Sequence, residues 1–116
     1  MKKIDLSIIV PVYSGEFTIN KLFLKIQDFC NRNQFTFQVI FVWDCGKDNS
    51  WEIIKKIKLK NTHFVSAVHL SRNFGQHNAI LSAIHLALGR FIVTIDEDLQ
   101  HSPDDISLLL MKQREL

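Results

Sequence analysis

At 116 residues with 47% hydrophobic content, the chain reads as a single domain, 1–116, large enough to bury a core. Its 14 Lys plus Arg against 12 Asp plus Glu leave a formal charge of +2, which excludes the strong basic field of a nucleic-acid binder. No apolar stretch approaches the roughly 20 residues that cross a bilayer, and nothing points to an oxidising compartment, so Cys30 and Cys45 are read as thiols.

The opening Met1-Lys2-Lys3 and the apolar run from Leu6 to Val12 resemble a secretion leader superficially. The run is short, Asp5 interrupts its approach and no small-residue cleavage site follows, so Ile4 to Val12 reads as a first strand, closed by Pro11 and the turn at Ser14-Gly15. From Glu16 to Asn33, Phe17, Leu22, Phe23, Ile26, Phe29 and Cys30 recur at helical spacing. Phe37 to Trp43 is a second strand, too apolar for a surface edge, followed by the turn Asp44 to Ser50. Asn49 with Glu52 three residues on has the form of a capping box, and Trp51, Ile54 and Ile57 continue as a helix stripe. Phe64 to Leu70 is a third strand, and Ser71 to Gly75 leads into a helix from Gln76 to about Leu88, with Gly89 as its stop. Arg90 to Ile95 is a fourth strand, and Ser102-Pro103-Asp104-Asp105 opens a last helix that continues to Leu116.

The pattern is βαβαβαβα, which implies a mostly parallel α/β sheet with helices on both faces. Such sheets bind ligands beyond the carboxyl ends of their strands. That edge gathers four loops: Tyr13 to Glu16, Asp44 to Asn49, Ser71 to Gln76, and Asp96 to His101. The last begins with three consecutive carboxylates, Asp96-Glu97-Asp98, directly after an apolar strand. Hard oxygens fixed at a strand end suit Mg²⁺ or Mn²⁺, although for an acidic turn on its own a polar turn that ends the strand and caps the next helix is the commoner meaning. No G-x-G-x-x-G follows the first strand and no P-loop occurs. Zinc is not supported either, since the cysteines stand far apart and the histidines lack ligand-pair spacing.

Ser7-Ile8-Ile9-Val10-Pro11-Val12-Tyr13, the Val42 to Ser50 turn, Leu70-Ser71-Arg72-Asn73-Phe74-Gly75-Gln76-His77 and Ile95-Asp96-Glu97-Asp98-Leu99-Gln100-His101 together resemble a family 2 glycosyltransferase of GT-A type. The polyprenyl-phosphate sugar transferases, of which dolichol-phosphate mannose synthase is the familiar example, are the subgroup it looks most like. The resemblance covers nearly the whole chain in order. It implies a Rossmann-like GT-A fold that binds a UDP- or GDP-sugar donor and passes a hexose to a lipid phosphate or glycan acceptor, with Mg²⁺ or Mn²⁺ as cofactor. It further implies nucleotide contacts at Pro11, Val12, Tyr13, Glu16, Asp44, Arg72, Asp96 and Glu97, and metal ligation by Asp96, Asp98 and Gln100.

Two motifs depart from the family pattern. Its D-D-G-S turn reads Trp43-Asp44-Cys45-Gly46 here, and its P-x-Y-N-E-x opening reads Pro11-Val12-Tyr13-Ser14-Gly15-Glu16. Family members also run well past this point, so the acceptor half and the catalytic residues are expected downstream of Leu116, and the segment alone is expected to be inactive. The resemblance implies a cytoplasmic protein, at the cytoplasmic face of the membrane in full length, with membrane contact only through parts outside this chain. Its last helix is apolar enough to support a homodimer. The alternative reading is a truncated or degenerate noncatalytic module for nucleotide binding or assembly.

Overall fold

The structure, a computed structural model, describes residues 3–73 and 75–95. Four strands, β1 (Ile4–Val12), β2 (Phe37–Trp43), β3 (Val65–His69) and β4 (Gly89–Thr94), alternate with helices α1 (Ile19–Arg32), α2 (Ser50–Lys60) and α3 (Gln76–Ala83). The acidic run and the expected last helix lie outside the described residues.

All neighbouring strands pair in parallel in the order β3-β2-β1-β4. Right-handed crossovers dictate the layering. The steps from β1 to β2 and from β2 to β3 run one way, so α1 and α2 share a face. The step from β3 back across to β4 runs the other way and puts α3 on the opposite face. The core follows that division. Leu6, Ile8, Val10 and Val12 of β1 pack with Leu22, Phe23, Ile26 and Phe29 of α1 and with Ile54 and Ile57 of α2. Ile9 of β1 and Ile40 and Val42 of β2 pack against Ala79 and Ala83 of α3. The central strands therefore read as unbroken apolar runs, because both of their faces are covered. Aromatic rings fill the first layer, with Phe23 6.1 Å from Phe41 and 6.2 Å from Phe64, and Phe37 5.2 Å from Phe64. Each such side chain contributes about 1.5–3 kcal/mol by leaving water.

Local details differ from the sequence reading. α1 starts at Ile19 rather than Glu16, because the Gly15 carbonyl accepts both Thr18 N–H and Ile19 N–H and closes a turn first. The capping box does not form: Asn49 makes no side-chain cap bond, and Asp48 Oδ1 accepts the Ser50 N–H instead (3.0 Å). α3 ends at Ala83 and passes through a short 3-10 turn, Ile84–Leu86. Gly89 is no helix stop but the first residue of β4, paired with Ile4. A side chain there would collide with the β1 backbone, since its Cβ would lie 2.6 Å from Ser7 N.

A buried polar cluster makes that junction. Ser7 Oγ donates to Gln38 Oε1 (2.6 Å), which also accepts Leu88 N–H (2.5 Å). Gln38 Nε2 donates to the Leu86 carbonyl (3.3 Å), and Gly89 N–H donates to Ser7 Oγ (2.7 Å). Two polar side chains in the central strands thus satisfy the backbone of the entry to β4.

Candidate functional site

Strand order reverses between β1 and β4, the switch point at which doubly wound sheets bind ligands beyond the carboxyl ends of their strands. α1, α2 and α3 all follow strand ends at that edge, so the positive ends of three helix dipoles lie along it, two on one face of the sheet and one on the other. The loops there are braced to one another.

The second loop is the hub. Asp44 is 4% exposed; its N–H donates to the Val12 carbonyl (2.8 Å), and its Oδ2 accepts the Gly75 N–H of the third loop (2.9 Å). Cys45 then takes a left-handed φ of 57°. Gly46 lies so close to the first loop that a Cβ would sit 1.7 Å from the Tyr13 carbonyl oxygen. Asp48 closes the brace by accepting Glu16 N–H on Oδ2 (3.1 Å) and Ser50 N–H on Oδ1. Burial pushes the Asp48 carboxyl up, but hydrogen bonds from the Ser50 side chain and from the Ser50 and Glu16 backbones outweigh it and hold the group below its ordinary value.

The third loop leaves β3 with Leu70 N–H on the Trp43 carbonyl (3.1 Å). It returns at Gly75, whose φ of 87° is a region that side chains disfavour. Asn73 Oδ1 shares the Gly75 N–H with Asp44 (2.9 Å). Arg72 lies exposed in this loop. Beside it, the His69 ring sits 4.6 Å from Trp43 and 4.7 Å from Trp51, and Trp43 Nε1 donates to Ser50 Oγ (3.2 Å).

The structure thus brings Tyr13, Glu16, Asp44 and Arg72 to one edge. Pro11 and Val12 lie just below it, buried within β1, and Val12 reaches the edge through its backbone alone. Ile95 N–H donates to the Ile9 carbonyl (3.1 Å), so β4 delivers the chain to the switch point. Asp96, Glu97, Asp98 and Gln100 follow by sequence and lie outside the described residues. Among the described residues no group of three His, Cys, Asp or Glu could hold a metal ion, both cysteines are free, and no helix is long and apolar enough to cross a membrane.

The sequence reading missed Asp48, Gly46 and Gly75 as braces. Asp48 had a signal, an acid two residues before a serine at a helix start, but the neighbouring Asn49 offered the same chemistry one position later. Gly46 had none, because its role depends on the Tyr13 backbone more than thirty residues away.

Residues 7–115 match the family model of Glycosyl transferase family 2. The undecaprenyl-phosphate 4-deoxy-4-formamido-L-arabinose transferase of Pseudomonas aeruginosa (strain LESB58) is 34% identical over 108 residues, which cover 92% of this chain and 32% of that protein. S. aureus TarS 1-349 in complex with UDP-GlcNAc superposes with a TM-score of 0.71 at 27% identity, over 97% of this chain and 32% of that one. Mannosyltransferase PcManGT from Pyrobaculum calidifontis, in complex with GDP-Man and Mn²⁺, gives a TM-score of 0.74 at 19% identity, over 91% and 31%, a likeness of fold alone. The chain spans about a third of the length of the curated relatives it matches. With its parallel sheet, its switch-point edge and a family match over almost its whole length, the chain belongs to glycosyl transferase family 2 and has the GT-A type fold.

Proposed function

We propose that this chain is the nucleotide-sugar-binding part of a metal-dependent glycosyltransferase that passes a hexose from a UDP- or GDP-sugar to a polyprenyl phosphate or glycan acceptor. The observation that carries the reading is the braced edge: Asp44 joins β1 to the third loop while Asp48 and Gly46 hold the first loop against the second. Such bracing prepays the ordering of loops that would otherwise have to close around a ligand. Tyr13, Glu16, Asp44 and Arg72 are assigned to the nucleoside, with Pro11 and Val12 as the strand that presents them, Asp96 near the ribose as well as the metal, and Glu97 as a further nucleotide contact. Three helix N-termini favour the diphosphate.

Asp96, Asp98 and Gln100 supply the hard oxygen donors that Mg²⁺ or Mn²⁺ takes, and they follow β4 directly. A cation held by them would supply positive charge toward the departing nucleoside diphosphate. A lipid phosphate acceptor is already anionic and needs little help from a general base. The polyprenyl-phosphate acceptor is supported by the names of the relatives, and the acceptor-binding residues are assigned to the two thirds of their length that this chain does not match.

Calorimetry of the folded 116-residue chain with UDP and GDP, each with and without Mn²⁺, tests the reading. Metal-dependent binding of one nucleotide is expected, and Asp98→Ala should abolish the metal-dependent part while leaving the melting temperature within a few degrees. Absence of metal-dependent binding to either nucleotide overturns the proposal.

A further inference from the structure

Among the described residues the charge is one-sided. α1 and α2 carry seven lysine or arginine residues against two carboxylates. Both carboxylates are engaged within their own helix, Asp28 with Arg32 and Glu52 with Lys55, each at 2.9 Å. The two helices therefore hold an excess of five positive charges, whereas the other described residues balance, Lys3, Lys47, Arg72 and Arg90 against Asp5, Glu16, Asp44 and Asp48. On the opposite layer, α3 and its 3-10 turn contain no Lys, Arg, Asp or Glu. Among the described residues Lys21, Lys25, Lys56, Lys58 and Lys60 have no acidic partner.

The same layer exposes apolar side chains among the lysines. Leu24 is 64% exposed and Leu59 75%, and Phe17, in the turn that leads into α1, is 91% exposed. Between the two helices runs a groove of about 420 Å³ lined by Phe23, Leu24, Ile53 and Ile57, with Lys56 and Lys60 on its wall. A solvated helix layer accounts for the lysines but gains nothing from exposed leucines and a phenylalanine beside them.

We infer that the α1–α2 layer is a docking surface for an anionic lipid bilayer. Clustered lysines are drawn to the negative surface potential of such a membrane, and their aliphatic stems let the ammonium groups reach headgroups while neighbouring apolar side chains enter the acyl boundary. A polyanion such as nucleic acid or an acidic protein segment satisfies the charge but offers no phase for Phe17, Leu24 and Leu59. Phe17 adjoins Glu16 at the rim of the switch-point edge, whereas the lysines and both leucines lie along the helices beyond it, and the surface lets this part of the chain touch a membrane without any spanning segment. The inference stands whether or not the edge binds a nucleotide.

Co-sedimentation of the full chain with lipid vesicles tests it. With vesicles of phosphatidylcholine containing about 40% phosphatidylglycerol, binding is expected at about 100 mM NaCl, with a loss of roughly tenfold at about 500 mM and little affinity for pure phosphatidylcholine. The double variant Lys56→Glu/Lys60→Glu should lower partitioning roughly tenfold, and Leu59→Ser several-fold, with circular dichroism unchanged. Arg90→Glu, exposed on β4, serves as the control and should bind as the parent does. Failure to bind the anionic vesicles overturns the inference, as does equal binding to neutral ones or indifference to the lysine reversals. Binding of labelled polyglutamate as tight as that of the vesicles, and insensitive to Leu59→Ser, reassigns the face to an acidic polymer and likewise overturns it.

Discussion

Asp48 shows how one carboxylate can hold two loops. Its oxygens accept the Glu16 and Ser50 N–H groups, so it caps α2 and anchors the first loop together. Replacement by Ala should cost about 1 kcal/mol at neutral pH, the usual worth of an N-cap. The folded-state pKa lies below the ordinary 3.8, so this stabilisation is fully present above that value and is lost as pH falls through the folded pKa. Urea titrations of the parent and Asp48→Ala should therefore differ at pH 7 and converge in strong acid; a difference that persists unchanged there would show that the charge is not involved. Residues of this kind were the least legible in the sequence. Asp44, Tyr13, Glu16 and Arg72 could be placed at one edge because strand ends were readable. The brace residues depend on which backbone group a neighbouring loop presents, and no spacing encodes that.

At the scale of elements, the strands were readable because β1 and β2 are buried on both faces and their apolar runs are continuous. The end of α3 was not. Its letters continue an apolar pattern to Leu88, and a glycine follows where helices often stop. What decides the boundary is the cluster of Ser7 and Gln38, which captures Leu88 and Gly89 for the sheet. Polar residues inside apolar strands were the available sign, since buried polar groups require partners. Gln38→Leu should leave the Leu88 N–H without its acceptor and the Ser7 hydroxyl without its own. We expect a loss of about 2–3 kcal/mol in denaturant unfolding, as for an orphaned buried polar group, with faster amide exchange at Leu88 and Gly89. Stability equal to the parent would mean that the cluster contributes nothing net.

At the scale of the whole fold, the two sides of the sheet are unequal among the described residues. Among the described residues seventeen buried side chains form the layer with α1 and α2, and five form the layer with α3, two of them alanines. α3 therefore buries less apolar surface, and Leu81, Ile84 and Leu88 beside it are exposed. Native-state hydrogen exchange should find the amides of α3 opening at lower free energy than those of α1, β1 and β2; equal protection would contradict the imbalance. The third loop leads into α3 on one side and is held on the other by Asp44, whose Oδ2 accepts the Gly75 N–H. The ring cluster beside that loop offers a way to watch it. The chain has two tryptophans, and both flank His69 at the head of the third loop. Its ultraviolet emission is thus a local signal from the rim of the ligand edge, and a change on mixing with a candidate donor reads the arrangement of that rim without any attached dye.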